Sequence, residues 1–268
     1  MNLPQQAAAL TVSRWRRLAR LEVSHARLQR LWHMSRVELA VLLGGDPERA
    51  AAWIGSAAEC GLPSAQLCLG RLLLQGHGVA RNELAAFAWF ERAALQADAP
   101  AMNMLGRCYE NGWGVAADAA HAARWYRASA AGGHDWGQYN LANLYFDGSG
   151  LKQDRREALR WYLRAAHQGH ARAMNLVGRC LEEGWGSTPV PAEADYWYRR
   201  SADAGYFRGQ FNHALTLLQQ GLAAQAAHWL WRAASGGDAA IREAIIAAVG
   251  GSPDAALREL AARVRTLD

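Results

Sequence analysis

Lysine is nearly absent. Lys152 is the only one among 29 basic residues, so arginine carries almost all the positive charge. Two readings stand: codon bias of a GC-rich genome, or selection of the guanidinium for bidentate recognition of acidic groups. Proline is also scarce, seven in 268 residues, which suits packed helices. No apolar run approaches the ~18 residues of a membrane span. A secretory leader needs positive charge ahead of an apolar core. Here the short Ala7–Val12 stretch precedes the arginines, so the expected location is the cytoplasm. No Ser/His/Asp or Cys/His arrangement stands out. The Gly-x-Gly pairs follow helical patterns rather than strands, which removes a phosphate loop. Glu110, Glu182 and Glu183 precede turns and read as solvated. His167 and His170 stand i, i+3, but Gly169 falls between them and no third ligand recurs nearby, so no metal is expected. These absences leave no reaction, no cofactor and no small-molecule substrate to predict.

What is present is a period. Tryptophan returns at Trp53, Trp89, Trp125, Trp161, Trp197 and Trp229, spaced by 36, 36, 36, 36 and 32 residues. A fixed period in this range means stacked supersecondary units, each touching its neighbours, and hence one elongated domain. Seven residues before the Trp stand Asp46, Asn82, Asp118 and Asp154, helix N-caps whose side chains accept an orphan N–H. Val190 holds the slot before Trp197, with Pro191 fitting the first helical position. Eight residues after the Trp come Gly61, Gly133, Gly169, Gly205 and Gly237, able to turn left-handed and stop the helix. Ala97 is the exception. A second helix follows, with small residues twelve past the Trp (Ala65, Ala101, Gly137, Ala173, Gly209). Small residues come again at seventeen (Gly70, Gly106, Ala142, Gly178, Ala214), between larger apolar ones at sixteen and twenty. The small residues let a neighbouring helix approach closely, which compensates for glycine's helix cost of up to ~1 kcal/mol. Gly76/Gly78, Gly112/Gly114, Gly148/Gly150 and Gly184/Gly186 end these helices.

The text WYRASAAGGHDWGQYNLANLYFDGSGLKQD at Trp125, and its counterpart WYLRAAHQGHARAMNLVGRCLEEGWG at Trp161, resemble the SEL-one-like repeat family, relatives of the tetratricopeptide repeats. The resemblance covers roughly Asp46 to Gly237. It implies an all-α fold: a right-handed α-α superhelix, or solenoid, of about five to six antiparallel helix-pair repeats with helical caps at both ends. It also implies a non-catalytic adaptor or scaffold that holds a protein or peptide partner in its groove. The unit at Trp197 departs from the pattern, with Gln219-Gln220-Gly221 in place of Gly-x-Gly. The unit at Trp229 lacks a recognisable second-helix pattern.

Secreted members of the family staple their helices with cysteines eight apart. Cys60 and Cys68 have that spacing but are shifted by two residues from the pairing positions, here Ala58 and Gln66. That shift turns a side chain by ~200°, and the match is read as accidental. Cys108 and Cys180 share one slot two units apart, too distant to bridge, and read as small apolar fillers.

Three segments follow: residues 1–45 as a basic helical cap or degenerate repeat, 46–237 as the solenoid, and 238–268 as a C-terminal cap. Residues 1–50 carry eight arginines against four acids, a net +4 of the chain's +5, so the repeats are close to neutral. Within them Val12 to Arg30 reads as a basic helix and Leu31 to Leu43 as a second one. The arm is either a cap over the first interface or an element docking the chain, as an accessory subunit, to an acidic protein or a nucleic-acid complex. No base-stacking or groove-reading motif lies beside it to recommend nucleic acid. At the other end, Ser252 is expected to cap a last helix opened by Pro253.

First helices of such repeats tend to line the concave side, which directs attention to the arginines around each Trp. Arg92, Arg124, Arg127, Arg160, Arg164, Arg199, Arg200 and Arg232 form a ladder able to clamp acidic side chains or a terminal carboxylate, or else a solvated helix face. Trp113 and Trp185, inside Gly-Trp-Gly loops, are either exposed contact residues or rings folded onto a neighbouring unit. Trp136 begins a second helix and belongs with them. Trp231 adds an aromatic near the C-terminal end. His213 interrupts the apolar stripe and reads as a satisfied core histidine ahead of a ligand.

Overall fold

The computed structural model describes residues 45–267. The cap-or-arm readings for residues 1–44 lie outside it. Among the described residues there are thirteen α-helices and no strand. The Trp-bearing first helices are α1 (Pro47–Glu59), α3 (Glu83–Ala94), α5 (Ala119–Ala131), α7 (Arg155–His167), α9 (Pro191–Asp203) and α11 (Ala223–Gly236). The second helices are α2 (Pro63–Gln75), α4 (Ala99–Asn111), α6 (Asp135–Asp147), α8 (Ala171–Glu183) and α10 (Phe207–Gln219), followed by α12 (Ala239–Val249) and α13 (Ala255–Val264). The described residues divide into two compact bodies, 45–137 with Ser149–Leu151, and Gln138–Gly148 with 152–267.

Each helix starts where its chemistry directs. The carboxylate of Asp118 accepts from the His121 amide, that of Asp154 from Arg156 and Glu157, and the Asn82 amide oxygen from Ala85. The same cap residues act twice. The backbone N–H of Asn82, Asp118, Asp154 and Val190 each donates to the carbonyl nine residues back, on Leu73, Tyr109, Tyr145 and Leu181, at 2.8 Å in every case. That bond closes the Gly-x-Gly loop. The loop's second glycine then crosses the start of its own first helix: a Cβ on Gly114 would lie 2.3 Å from the Glu83 carbonyl oxygen, and one on Gly186 2.2 Å from that of Arg155. Backbone that close admits no side chain.

Packing follows the small-residue slots. The residue after each Trp (Phe90, Tyr126, Tyr198) presses its ring onto the glycine at position seventeen of the preceding unit. A Cβ on Gly70, Gly106 or Gly178 would fall within 2.5 Å of a ring carbon. These rings are buried, and their hydroxyls find partners, Tyr126 on Glu110 and Tyr198 on Glu182, both at 2.6 Å. Two serines link successive repeats across 30 residues: Ser129 Oγ donates to the Ala99 carbonyl and Ser201 Oγ to that of Ala171, both at 2.7 Å.

The C-terminal end departs from the sequence reading in two places. Gly237 is extended (φ −100°), not left-handed. It is glycine for space, since a Cβ there would sit 2.1 Å from Ile241 Cγ2. The last helix is capped by Asp254, which accepts from Ala256 and Leu257, while Ser252 Oγ accepts from the Asp254 amide. Two hydroxyl or carboxylate side chains stand within one turn, and the carboxylate takes the helix. Leu230, Ile245, Leu257 and Val264 share one core with Leu217 of α10, so the terminal helices close the apolar face that α11 presents.

Candidate protein-binding groove

In the C-terminal body the second helices lie side by side and point the same way. Near their starts, the Arg172 guanidinium of α8 stands 5.8 Å from the Tyr206 ring at the entrance to α10, and Arg208 of α10 stands 3.8 Å from Asp238, the N-cap of α12. A turn further on, Asn212 Nδ2 donates to Asn175 Oδ1 at 2.8 Å, joining α10 to α8. A groove of about 530 Å³ runs over this surface. Tyr139, Tyr198, Tyr206 and Phe211 supply its aromatic lining; Arg172, Arg179 and Arg208 its cations; Glu182, Glu183 and Asp238 its anions.

The lining is fixed by its neighbours. Tyr139 stacks on the buried ring of His170 at 4.7 Å. His170 in turn caps α8, its Nδ1 accepting from the Ala173 amide at 3.1 Å. Arg179 lies over the Trp185 ring at 5.0 Å, and the other side chains against that ring are Arg155 at 5.8 Å and Phe146 at 5.2 Å. Stacking holds the Arg179 guanidinium plane while its N–H edges stay accessible to a carboxylate. Glu182 accepts the Tyr198 hydroxyl, and burial, reinforced by that carboxylate, pushes the phenol well above its ordinary range. So Glu182 is not a merely solvated acid, and its other oxygen remains an acceptor. The N-terminal body repeats the set two repeats earlier: Arg107 lies 5.0 Å from Trp113, and Glu110 accepts from Tyr126. In the intervening repeat Asn143 takes the Tyr162 hydroxyl at 2.6 Å.

None of the eleven contact residues expected from the sequence lines this groove. The arginines three past each Trp lie on the Trp of their own helix: Arg92 on Trp89 at 4.5 Å, Arg164 on Trp161 at 4.3 Å, Arg200 on Trp197 at 5.3 Å and Arg232 on Trp229 at 4.7 Å. Arg160 pairs with Glu157. Arg124, Arg127 and Arg199 are exposed on α5 and α9. Trp113 and Trp185 are half-buried on the cores beside them. Trp231 is half-buried beneath Arg263 of α13 at 4.3 Å, whereas Trp136 stands exposed at 41%. His213 is buried, its Nδ1 2.9 Å from Asp195, as a satisfied core histidine should be. No cluster of three or more metal-ligating side chains occurs among the described residues. Nor does any described helix have the length and apolarity to cross a membrane.

The groove arginines did leave a sequence signal. Arg71, Arg107 and Arg179 recur eighteen residues past the Trp, and Arg172 and Arg208 eleven past it. Reading each unit from its Trp directs attention to the first helices, whereas this groove is lined mainly from the second helices. The Sel1 repeat model matches residues 42–62, 63–98, 99–134, 137–170 and 171–206, and its full copies open on or just inside the second helices α2, α4, α6 and α8.

Several solved structures are similar, among them these two. One is c5321, a protective antigen of uropathogenic Escherichia coli displaying an SLR fold. It is 32% identical with a TM-score of 0.67, covering 82% of this chain and 48% of that one. The chain thus spans about half the length of that relative. The other is a Sel1 repeat protein from Oxalobacter formigenes, 23% identical with a TM-score of 0.75, covering 87% of this chain and 99% of that one. No curated protein matches. Repeats of this kind commonly serve as protein-interaction modules, and their scaffolds are generally non-catalytic. With five tandem matches to the repeat model spread over more than half its length, and helix pairs phased as that model requires, the chain belongs to the Sel1 repeat family.

Proposed function

We propose that the chain is a non-catalytic adaptor or scaffold that holds an extended segment of a protein partner in the groove over α8 and α10. One observation carries the reading: the Asn175–Asn212 amide pair lies in the groove floor, flanked by aromatic rings and arginines. The bond uses one Asn212 N–H and the Asn175 oxygen, and the half-buried Asn212 keeps its second N–H and its own oxygen for a peptide backbone. Tyrosine and phenylalanine give contact area at low entropic cost, and arginine gives bidentate grip on a carboxylate. The expectation of an acidic partner segment thus moves to Arg172 and Arg208. The stacked arginines Arg92, Arg164, Arg200 and Arg232 support a second contact face, since their guanidiniums are already ordered for carboxylates. Four free cysteines, two of them buried, favour a reducing compartment such as the cytoplasm.

The test compares affinity capture by the intact chain, by Arg172→Glu/Arg208→Glu, and by Arg127→Glu/Arg164→Glu/Arg199→Glu. A partner lost only with the first variant fits the groove over α8 and α10. One lost only with the second moves the site to the first helices.

A further inference from the structure

The groove's charges are not mixed; they are sorted to its two ends. Arg172 and Arg208 lie at the starts of α8 and α10, with Asp238 as the one acid beside them. Glu182 and Glu183 lie in the last turn of α8, with Arg179 as the one cation beside them, held on Trp185. Asp238 is half-exposed and 3.8 Å from Arg208, which makes a weak pair that leaves the first end cationic. Glu182 and Arg179 share one helix at i, i+3, yet form no ion pair, because each is engaged elsewhere. The backbone acts in the same sense. Because α8, α10 and α12 bring their N-termini to one end, their dipoles add there instead of cancelling, with α8 and α10 ending at the other.

Resting on the groove reading above, we propose that the ligand is a charge-segregated peptide, its acidic block over Arg172 and Arg208 and its basic block over Glu182 and Glu183. From position 172 to 183 along α8 is about 16 Å at ~1.5 Å per residue. An extended chain covers that in about five residues. The spacer between the blocks then lies over Asn175, Asn212, Leu176 and Phe211, where an uncharged stretch with one apolar side chain fits.

Fluorescence anisotropy tests this on the full chain with a labelled peptide of about seven residues, two lysines at one end, two glutamates at the other. A peptide of the same composition with the charges alternating is the control. The segregated peptide should bind about tenfold more tightly, the worth of two exposed ion pairs. Arg208→Glu and Glu183→Lys should each remove most of that difference with no loss of helical signal. Equal affinity for the two peptides, with both substitutions still weakening binding, overturns the sorting and leaves the groove reading standing. Failure of both peptides to bind, or binding indifferent to both substitutions, overturns the sorting and the groove reading together.

Discussion

Gly186→Ala isolates what the Gly-x-Gly loop contributes. Two penalties add at this site. The backbone is left-handed, with φ 85°, where an L side chain costs about 1–2 kcal/mol. The new Cβ also meets the Arg155 carbonyl oxygen at 2.2 Å. That oxygen belongs to the first turn of α7 and cannot swing aside, so the overlap costs a further ~1–3 kcal/mol. Reduced freedom of the unfolded chain returns about 0.4–1 kcal/mol. The net is a loss of about 2–4 kcal/mol. Gly133→Ala is the matched control: φ is 82°, but a Cβ there meets nothing within 4 Å. It should cost about 1 kcal/mol. Urea unfolding followed by far-ultraviolet circular dichroism, compared at equal m, measures both. Equal costs for the two substitutions would refute the loop's role as a backbone clamp and reduce it to a turn.

Ala97 occupies the same left-handed turn at φ 61°, so Ala97→Gly should be neutral to about 1 kcal/mol stabilising in the same assay, the Gly133 control run in reverse. Tyr198→Phe should cost about 0.5–1.5 kcal/mol, the net worth of its hydrogen bond to the exposed Glu182; replacing the exposed Tyr196 the same way should cost almost nothing. Burial lowers the pKa of His134 from its ordinary 6.5, with the Asp135 carboxylate opposing and Arg71 and Asp98 also facing it. The unfolded histidine therefore takes up a proton first as pH falls, so stability is full above 6.5 and declines below it. Urea midpoints at about pH 7.5 and 5.5 should diverge more in the wild type than in His134→Gln. Native thiol titration should label the exposed Cys60 first. Cys108 and Cys180, whose thiols burial pushes up to about 12 and about 11, should react only after unfolding.

Much of the fold was legible because its determinants are local. Asp118 and Asp154 announce helix starts by their own side-chain chemistry, and Gly114 and Gly186 mark crossings that no other residue allows. The glycine opposite Tyr126 or Tyr198 is likewise visible as a small residue at a fixed offset. Phase was not legible. Tryptophan is the most conspicuous periodic residue, yet it marks the helix whose arginines stack on their own ring. The pocket in the C-terminal body is lined mainly from the other helix of the pair, whose signals at Arg172, Asn175, Arg179 and Asn212 vary from repeat to repeat. Glu182 was read as solvated because its partner, the Tyr198 hydroxyl, lies 16 residues away and arrives only when the next unit stacks. Gly237 was misread because contact with Ile241, not a left-handed turn, demands glycine there, and the Asp254 cap was missed because Ser252 stands within the same turn.

Hydrogen exchange reads directly which helices meet the partner. With a bound partner or the charge-segregated peptide, new amide protection should appear over 171–183 and 207–219, the spans of α8 and α10. Protection appearing instead over 155–167 and 191–203, with α8 and α10 unchanged, would contradict the account.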